Sequence, residues 1–129
     1  MRQQTRFDGI EPSRRERGQE GEARAVAYLE RSGYRIVDKN WRGRLGELDI
    51  VARDKGTLVF VEVRTRGGNA HGNAIEMVNI HKQRKVTRVA WSYIATRRPW
   101  FTTARFDVIG ITGEDIVHIK DAWRLGEAG

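Results

Sequence analysis

Two apolar runs, residues 48–52 and 58–63, bracket the polar segment Arg53-Asp54-Lys55-Gly56. Around them polarity alternates: Glu47 and Asp49 with Leu48 and Ile50, Glu62 and Arg64 with Val61 and Val63. A period of two is the signature of a β-strand with distinct faces. Gly56 can supply the positive φ that closes a tight turn, so the pattern predicts a β-hairpin. If the four turn residues loop symmetrically, Ala52 lies opposite Thr57, Asp49 opposite Phe60 and Glu47 opposite Glu62. Opposed residues of an antiparallel pair project to the same side. This register gathers Glu47, Asp49 and Glu62 on one face, where like charges repel. The face therefore calls for a neutralising partner, either a metal ion or a basic group such as Arg64.

The pattern elsewhere predicts a layered domain over residues 13–129, preceded by a polar, loosely tied arm at 1–12 that carries isolated Phe7 and Ile10. Ser13 and Glu16 have capping-box spacing, and a helical stripe of Ala23, Ala27 and Tyr28, with Val26 and Leu29 near it, follows to about Ser32. Gly18 and Gly21 weaken the first turns of this helix, and Gly33 ends it. A short strand at 34–37 leads through Asn40-Trp41-Arg42 to a turn at 43–46 and into the hairpin. A Gly/Asn-rich loop at 65–74 comes next. Asn79 can cap a second helix over 80–96, with Val86, Val89, Ala90, Tyr93 and Ile94 on its apolar face. Pro99 prevents its continuation. Strands at 105–109 and 116–119 flank a turn at 112–115. The order α-β-β-β-α-β-β predicts an α/β fold, a mixed sheet with a helix on each face.

Composition narrows the function classes. The chain of 129 residues suits one domain with a real core. It has no cysteine, which removes disulfide and thiolate-metal chemistry and fits a cytoplasmic location. No apolar run approaches the roughly 18 residues that span a bilayer, and no apolar segment follows the basic N-terminus, so neither a membrane span nor a secretory signal is expected. The formal net charge of +7 points to polyanion partners, nucleic acid first. The basic side of the second helix, Lys82, Arg84, Lys85 and Arg88, together with Arg42 and Arg66, supplies phosphate-binding candidates. A solvated helix face would look the same. His71, His81 and His118 lack a zinc-finger pattern and read as non-ligands. Trp41, Trp91, Trp100 and Trp123 read as packing residues, with Trp41 beside Arg42 the best base-stacking exception.

Asp49 and the Glu62-Val63-Arg64 triplet carry the sharpest chemistry. Carboxylates on paired strands lie roughly 5 Å apart at the backbone. With the Val63 carbonyl they can hold a hard cation such as Mg²⁺ or Mn²⁺, which takes oxygen ligands and retains water. Such an ion activates water and neutralises a phosphodiester's charge. Spacing alone leaves an ordinary charged sheet face equally open.

The arrangement Asp49…Glu62-Val63-Arg64 resembles the PD-(D/E)XK motif of the restriction-endonuclease-like superfamily, in which a hairpin presents metal-binding acids. The flanking segment GQEGEARAVAYLERSGYRIVDKNWRGRLGELDIVARDKGTLVFVEVRTR closely resembles the bacterial YraN-type family, itself similar to archaeal Holliday-junction resolvases. The likeness spans roughly residues 18 to 123 and implies the αβββαβ core of that superfamily. It also implies that Asp49 and Glu62 bind metal, and that Glu22 is the helical acid which resolvase-type members add to the site. Glu47 belongs to the family's GE-hydrophobic-D signature, and either tunes the site or pairs with a nearby base. Gln83 falls where several members use a polar helical residue. Arg64 stands where the superfamily usually has lysine. It can bind phosphate, but arginine effectively cannot lose a proton, so it is no general base.

Three functions compete. The first is a Mg²⁺- or Mn²⁺-dependent endonuclease acting on DNA rather than RNA, branched DNA included. The second is a nucleic-acid-binding module that kept the nuclease fold without efficient catalysis. The third is a partner-binding protein whose basic surface meets an acidic protein. Resolvase-type relatives often act as dimers, which makes a homodimer a further expectation.

Overall fold

The structure is a computed structural model that describes residues 14–66 and 78–126. The expected arm, the Ser13 cap and most of the Gly/Asn-rich loop with His71 lie outside those residues. The chain order is α1 (Arg14–Arg31), β1 (Arg35–Gly43), β2 (Gly46–Asp54), β3 (Thr57–Arg66), α2 (Ile80–Arg97), β4 (Thr103–Thr112) and β5 (Asp115–Arg124). The strands form one sheet in sequential order, β1-β2-β3-β4-β5. Only β3 and β4, joined through α2, run parallel; the other neighbours are antiparallel. This is the mixed α/β sheet of a restriction-endonuclease-like core.

The period-two pattern of β2 and β3 feeds two hydrophobic layers. On one face Leu58, Phe60, Phe106 and Val108 pack against Val86, Val89, Ala90 and Tyr93 of α2. On the other, Val59, Val61, Ile109 and Ile111 pack against Ala25 and Leu29 of α1. Asn79 caps α2 by accepting from Lys82 N at 2.9 Å, and satisfies one of the donors a helix leaves free at its start. Gly33, at φ 94°, ends α1. Tyr34 N donates to Leu29 O and Gly33 N to Glu30 O, the paired bonds of a Schellman cap.

Two expectations are corrected. The hairpin turn is tighter than a four-residue loop: Asp54 pairs with Thr57 and Ile50 with Val61. The register is thus shifted by two residues, which moves Glu62 from the level of Glu47 to that of Asp49. A two-residue slip preserves the faces, so Asp49 and Glu62 still share a side. The second correction is to β1, which runs through to Gly43 rather than stopping near Val37. Its side chains are mostly exposed, so no apolar alternation marks it, while backbone pairing with β2 defines it.

Gly21 has a role the sequence did not suggest. A Cβ built there would collide with the Thr65 side chain at the end of β3. The missing side chain lets α1 settle against β3 and sets the position of Glu22, the next residue. Gly21→Val is expected to destabilise the fold by about 1–3 kcal/mol through overpacking. Urea unfolding measures this, and an unchanged midpoint would show that α1 does not need the close approach.

Candidate active site

The site lies where β2 lets go of β3. The β2–β3 pairing runs from the turn to Ile50↔Val61. Beyond that point the Asp49 carboxylate takes over, and its Oδ2 accepts from Val63 N at 2.8 Å. The strand also changes face here. Leu48 packs in the α2-side core with Trp41, its partner on β1, whereas Ile50 packs in the α1-side core. Residues two apart on a regular strand share a face, so β1 and β2 both twist between these pairs, at Asn40 and Asp49. Asn40 takes a left-handed φ of 53°, a conformation asparagine tolerates better than most residues.

Three acids and two bases meet at this kink. Glu62 is 3 % exposed. Burial first, then the neighbouring Asp49 charge, push its carboxyl up to about 8. Asp49 is raised by burial, against the Val63 N–H and the charges of Arg64 and Lys82, which hold it down. Glu22, from α1, is raised by burial and then by Asp49, while a hydrogen bond from Asn40 offsets part of this. The structure therefore brings Glu22, Asp49 and Glu62 into one electrostatic cluster. Arg64 Nη2 lies 3.3 Å from Glu62 Oε1, and Lys82 on the first turn of α2 acts on both Glu62 and Asp49.

Glu47 stands at the edge of this cluster, where its charge helps raise both Asp49 and Glu22, and the remaining named residues fall outside it. Glu47 and Arg42 form an exposed rim pair at 3.9 Å. Arg84 and Lys85 are exposed on α2, with the Lys85 stem close to Gly46. Arg66 ends β3, and its side chain lies outside the described residues. Gln83 is turned away to Val78 O, 3.1 Å from its Nε2. Trp41 is a core residue, edge-on to Tyr93 at 5.2 Å, which excludes it as a stacking platform. Trp91 and Trp100 are exposed rather than packed. Sequence reasoning missed Asn40 and the inward reach of Lys82. Asn40 left a faint signal, being a turn-prone residue inside a strand.

The donor chemistry fits a hard divalent cation. Among the described residues no three acidic or histidine side chains converge to hold an ion alone. Mg²⁺ characteristically keeps several waters and takes only one or two carboxylates, so the carboxylates of Asp49 and Glu62 are the donors it would draw on.

The raised Glu62 carboxyl makes stability fall with pH in metal-free protein. A carboxyl that ionises near 4.5 unfolded and near 8 folded contributes its full stabilisation below about pH 4.5. That contribution is lost as pH climbs towards 8. Unfolding free energy is expected to drop by on the order of 3 kcal/mol across this window. Glu62→Gln should flatten the slope in urea titrations at pH 5 and pH 8. Equal slopes in the two proteins would refute the assignment.

Comparison with known proteins places the chain in a family. A family model described as uncharacterised protein family UPF0102 matches residues 21–111. The chain belongs to this family. A UPF0102 protein of Persephonella marina is 45% identical over 109 residues, covering 84% of this chain and 94% of the relative. One from Geobacter metallireducens is 46% identical over 112 residues, covering 84% and 92%. One from Halorhodospira halophila is 41% identical over 110 residues, covering 85% and 88%. The UPF0102 span starts one residue before Glu22 and encloses Asp49, Glu62, Arg64 and Lys82.

Proposed function

We propose that this UPF0102 protein is a Mg²⁺- or Mn²⁺-dependent endonuclease acting on DNA, branched DNA included. The observation that carries the reading is Glu62, a carboxylate buried in a sheet against Asp49 with Glu22 nearby. Burial and the Asp49 charge hold Glu62 protonated near neutral pH even with Arg64 at 3.3 Å and Lys82 close by, and a divalent cation would repay the desolvation of its ionised form. A divalent ion bound here supplies Lewis acidity to a phosphate oxygen and a water of lowered pKa.

The chain's own groups do the rest. Asp49 and Glu62 would hold the ion, with the Val63 carbonyl as a further oxygen donor, and Glu22 would complete the acidic wall and orient water. Arg64 holds the phosphate by its fork of donors. Lys82 adds a second positive charge where the phosphate gains negative charge, from a helix instead of the usual strand position. Lys85, Arg84 and Arg42 extend a basic approach for the flanking backbone, and their contribution is salt-sensitive. Incubation of linear, flap and four-way DNA with Mg²⁺ or Mn²⁺ tests the reading. Cleavage that chelation abolishes is expected; DNA left whole by the pure protein with either metal overturns it.

One observation favours a second reading, a DNA-binding module without efficient turnover. Arg64 occupies the motif's lysine position and is itself committed to Glu62. On that reading Arg64→Lys raises cleavage above the natural protein, whereas the nuclease reading has it unchanged or lower.

A further inference from the structure

A pocket of about 280 Å³ opens beside the acid cluster, between α1 and β1. It shares Glu22 with the cluster and is otherwise lined by Gln19, Ala23, Val26, Lys39, Asn40 and Ile50. The same backbone kink makes both features: the twist that turns Asp49 towards Glu62 leaves Ile50 facing α1 and places Asn40 against Glu22. Ala23, Val26 and Ile50 give an apolar floor. Gln19 and Asn40 bring amides, each with donors and an acceptor, and Lys39 brings a cation at the rim.

That combination matches one chemical class. An apolar floor takes the face of a planar ring, amides read donor–acceptor edges as they do on bases, and a lysine suits the attached phosphate. The volume lies just below the usual range for small-molecule sites, roughly 300–1,000 Å³, and so suits a single base rather than a dinucleotide. The Glu22 carboxylate at the wall disfavours a free anion inside, so the phosphate belongs outside, towards Lys39 or the acids. In a duplex the base is stacked and its edge already paired, so only an unpaired or extruded base can enter.

We infer that this pocket binds one unpaired nucleobase of a DNA strand whose adjacent phosphate lies at the Glu22–Asp49–Glu62 cluster. The inference rests on the nuclease reading and adds to it the substrate feature recognised: a single-stranded nucleotide beside the cut.

The test uses full-length protein and flap DNA in which each of the first unpaired nucleotides is replaced in turn by an abasic analogue. Binding is measured at low salt in Ca²⁺. Loss of the base at one position is expected to weaken binding about tenfold, the scale of the edge contacts one base makes. Ala23→Phe fills the pocket from an exposed helix position. It should weaken binding of intact flap by a similar factor and erase the difference between intact and abasic DNA. Gln19→Ala, also exposed, should shrink that difference about threefold without a change in fold. Equal binding of intact and abasic DNA at every position overturns the pocket and leaves the nuclease reading standing. So does a difference that survives Ala23→Phe. DNA that does not bind at all overturns both.

Discussion

Asp49→Asn is expected to abolish metal-dependent DNA cleavage while the protein stays folded. The substitution is chosen for what it keeps. Asp49 Oδ2 accepts from Val63 N at 2.8 Å, and the asparagine amide oxygen can accept the same bond. Alanine would strand that N–H at about 1–3 kcal/mol, and loss of activity would then be confounded with loss of structure. Asparagine instead removes only the charge. Outer-shell partners of a metal cost 10–100-fold when removed, so loss of an anionic ligand should exceed about a hundredfold in rate. Stability should rise slightly, because a buried carboxyl held above its ordinary range is a repulsive neighbour for Glu62. The paired outcome is the discriminating one: cleavage gone, urea midpoint equal or higher. Cleavage that persists in Asp49→Asn would remove the acid cluster from the reaction. A collapsed midpoint would show that the carboxylate's charge holds the strands together.

Why the hairpin was legible in the sequence and its surroundings were not follows from how each part is specified. The carboxylate face depends on period two, and period two survives a register error of two residues; Asp49 and Glu62 therefore stay on one side although the loop was counted too long. The partner at their level does not survive it. Glu62 sits level with Asp49 and not Glu47 because the turn is Lys55-Gly56, and the left-handed φ, 60°, falls on Lys55 where the pattern predicts it on Gly56. The kink at Asn40 is invisible to periodicity, since it arises from two strands changing face together. Its consequences, the exit of Glu47 to the rim beside Arg42 and the entry of Leu48 into the core, were invisible with it. Lys82 read as one of several helix cations because a sequence gives the helix face and not its distance from a sheet edge. Gly21 read as a weak point in α1, since helix propensity alone says nothing of Thr65. The two helices and the chain order of the elements are legible because apolar stripes, the Asn79 cap, Gly33 and Pro99 act locally.

Asp107→Ala is expected to cost about 3–5 kcal/mol, a large share of a domain's stability. In the sequence Asp107 is one position of the expected strand at 105–109, with nothing to set it apart. The structure makes it the hub of a buried network on the α1 side of the sheet, fully inaccessible to solvent. Arg105 Nε donates to its Oδ1 at 3.0 Å, and Asp121 N to the same oxygen at 3.0 Å. Tyr34 O–H donates to Oδ2 at 3.2 Å, and His118 Nε2 lies 2.7 Å from it. With the proton on Nε2, His118 accepts from the Tyr28 hydroxyl at 3.0 Å, so the carboxylate ties α1 to β5. These partners outweigh burial and hold the carboxyl below its ordinary value. The sign is opposite to that at Glu62. A depressed folded pKa contributes stability that is present above about pH 4 and lost as pH falls through the folded value. Alanine takes the closest anion from the Arg105 guanidinium, whose side chain is only 16 % exposed and which keeps Asp54 at 3.4 Å and the Tyr34 hydroxyl at 2.7 Å, and it leaves other buried donors without an acceptor. The double variant Asp107→Ala with Arg105→Met should recover part of the loss, because a largely buried cation no longer rests on the longer Asp54 pair alone. Arg42→Ala, at an exposed rim pair, should stay within about 0.5 kcal/mol. Urea unfolding at pH 7 reads all three. A single Asp107→Ala loss no larger than the rim control would show that the network is ornamental and that packing alone holds α1 to the sheet.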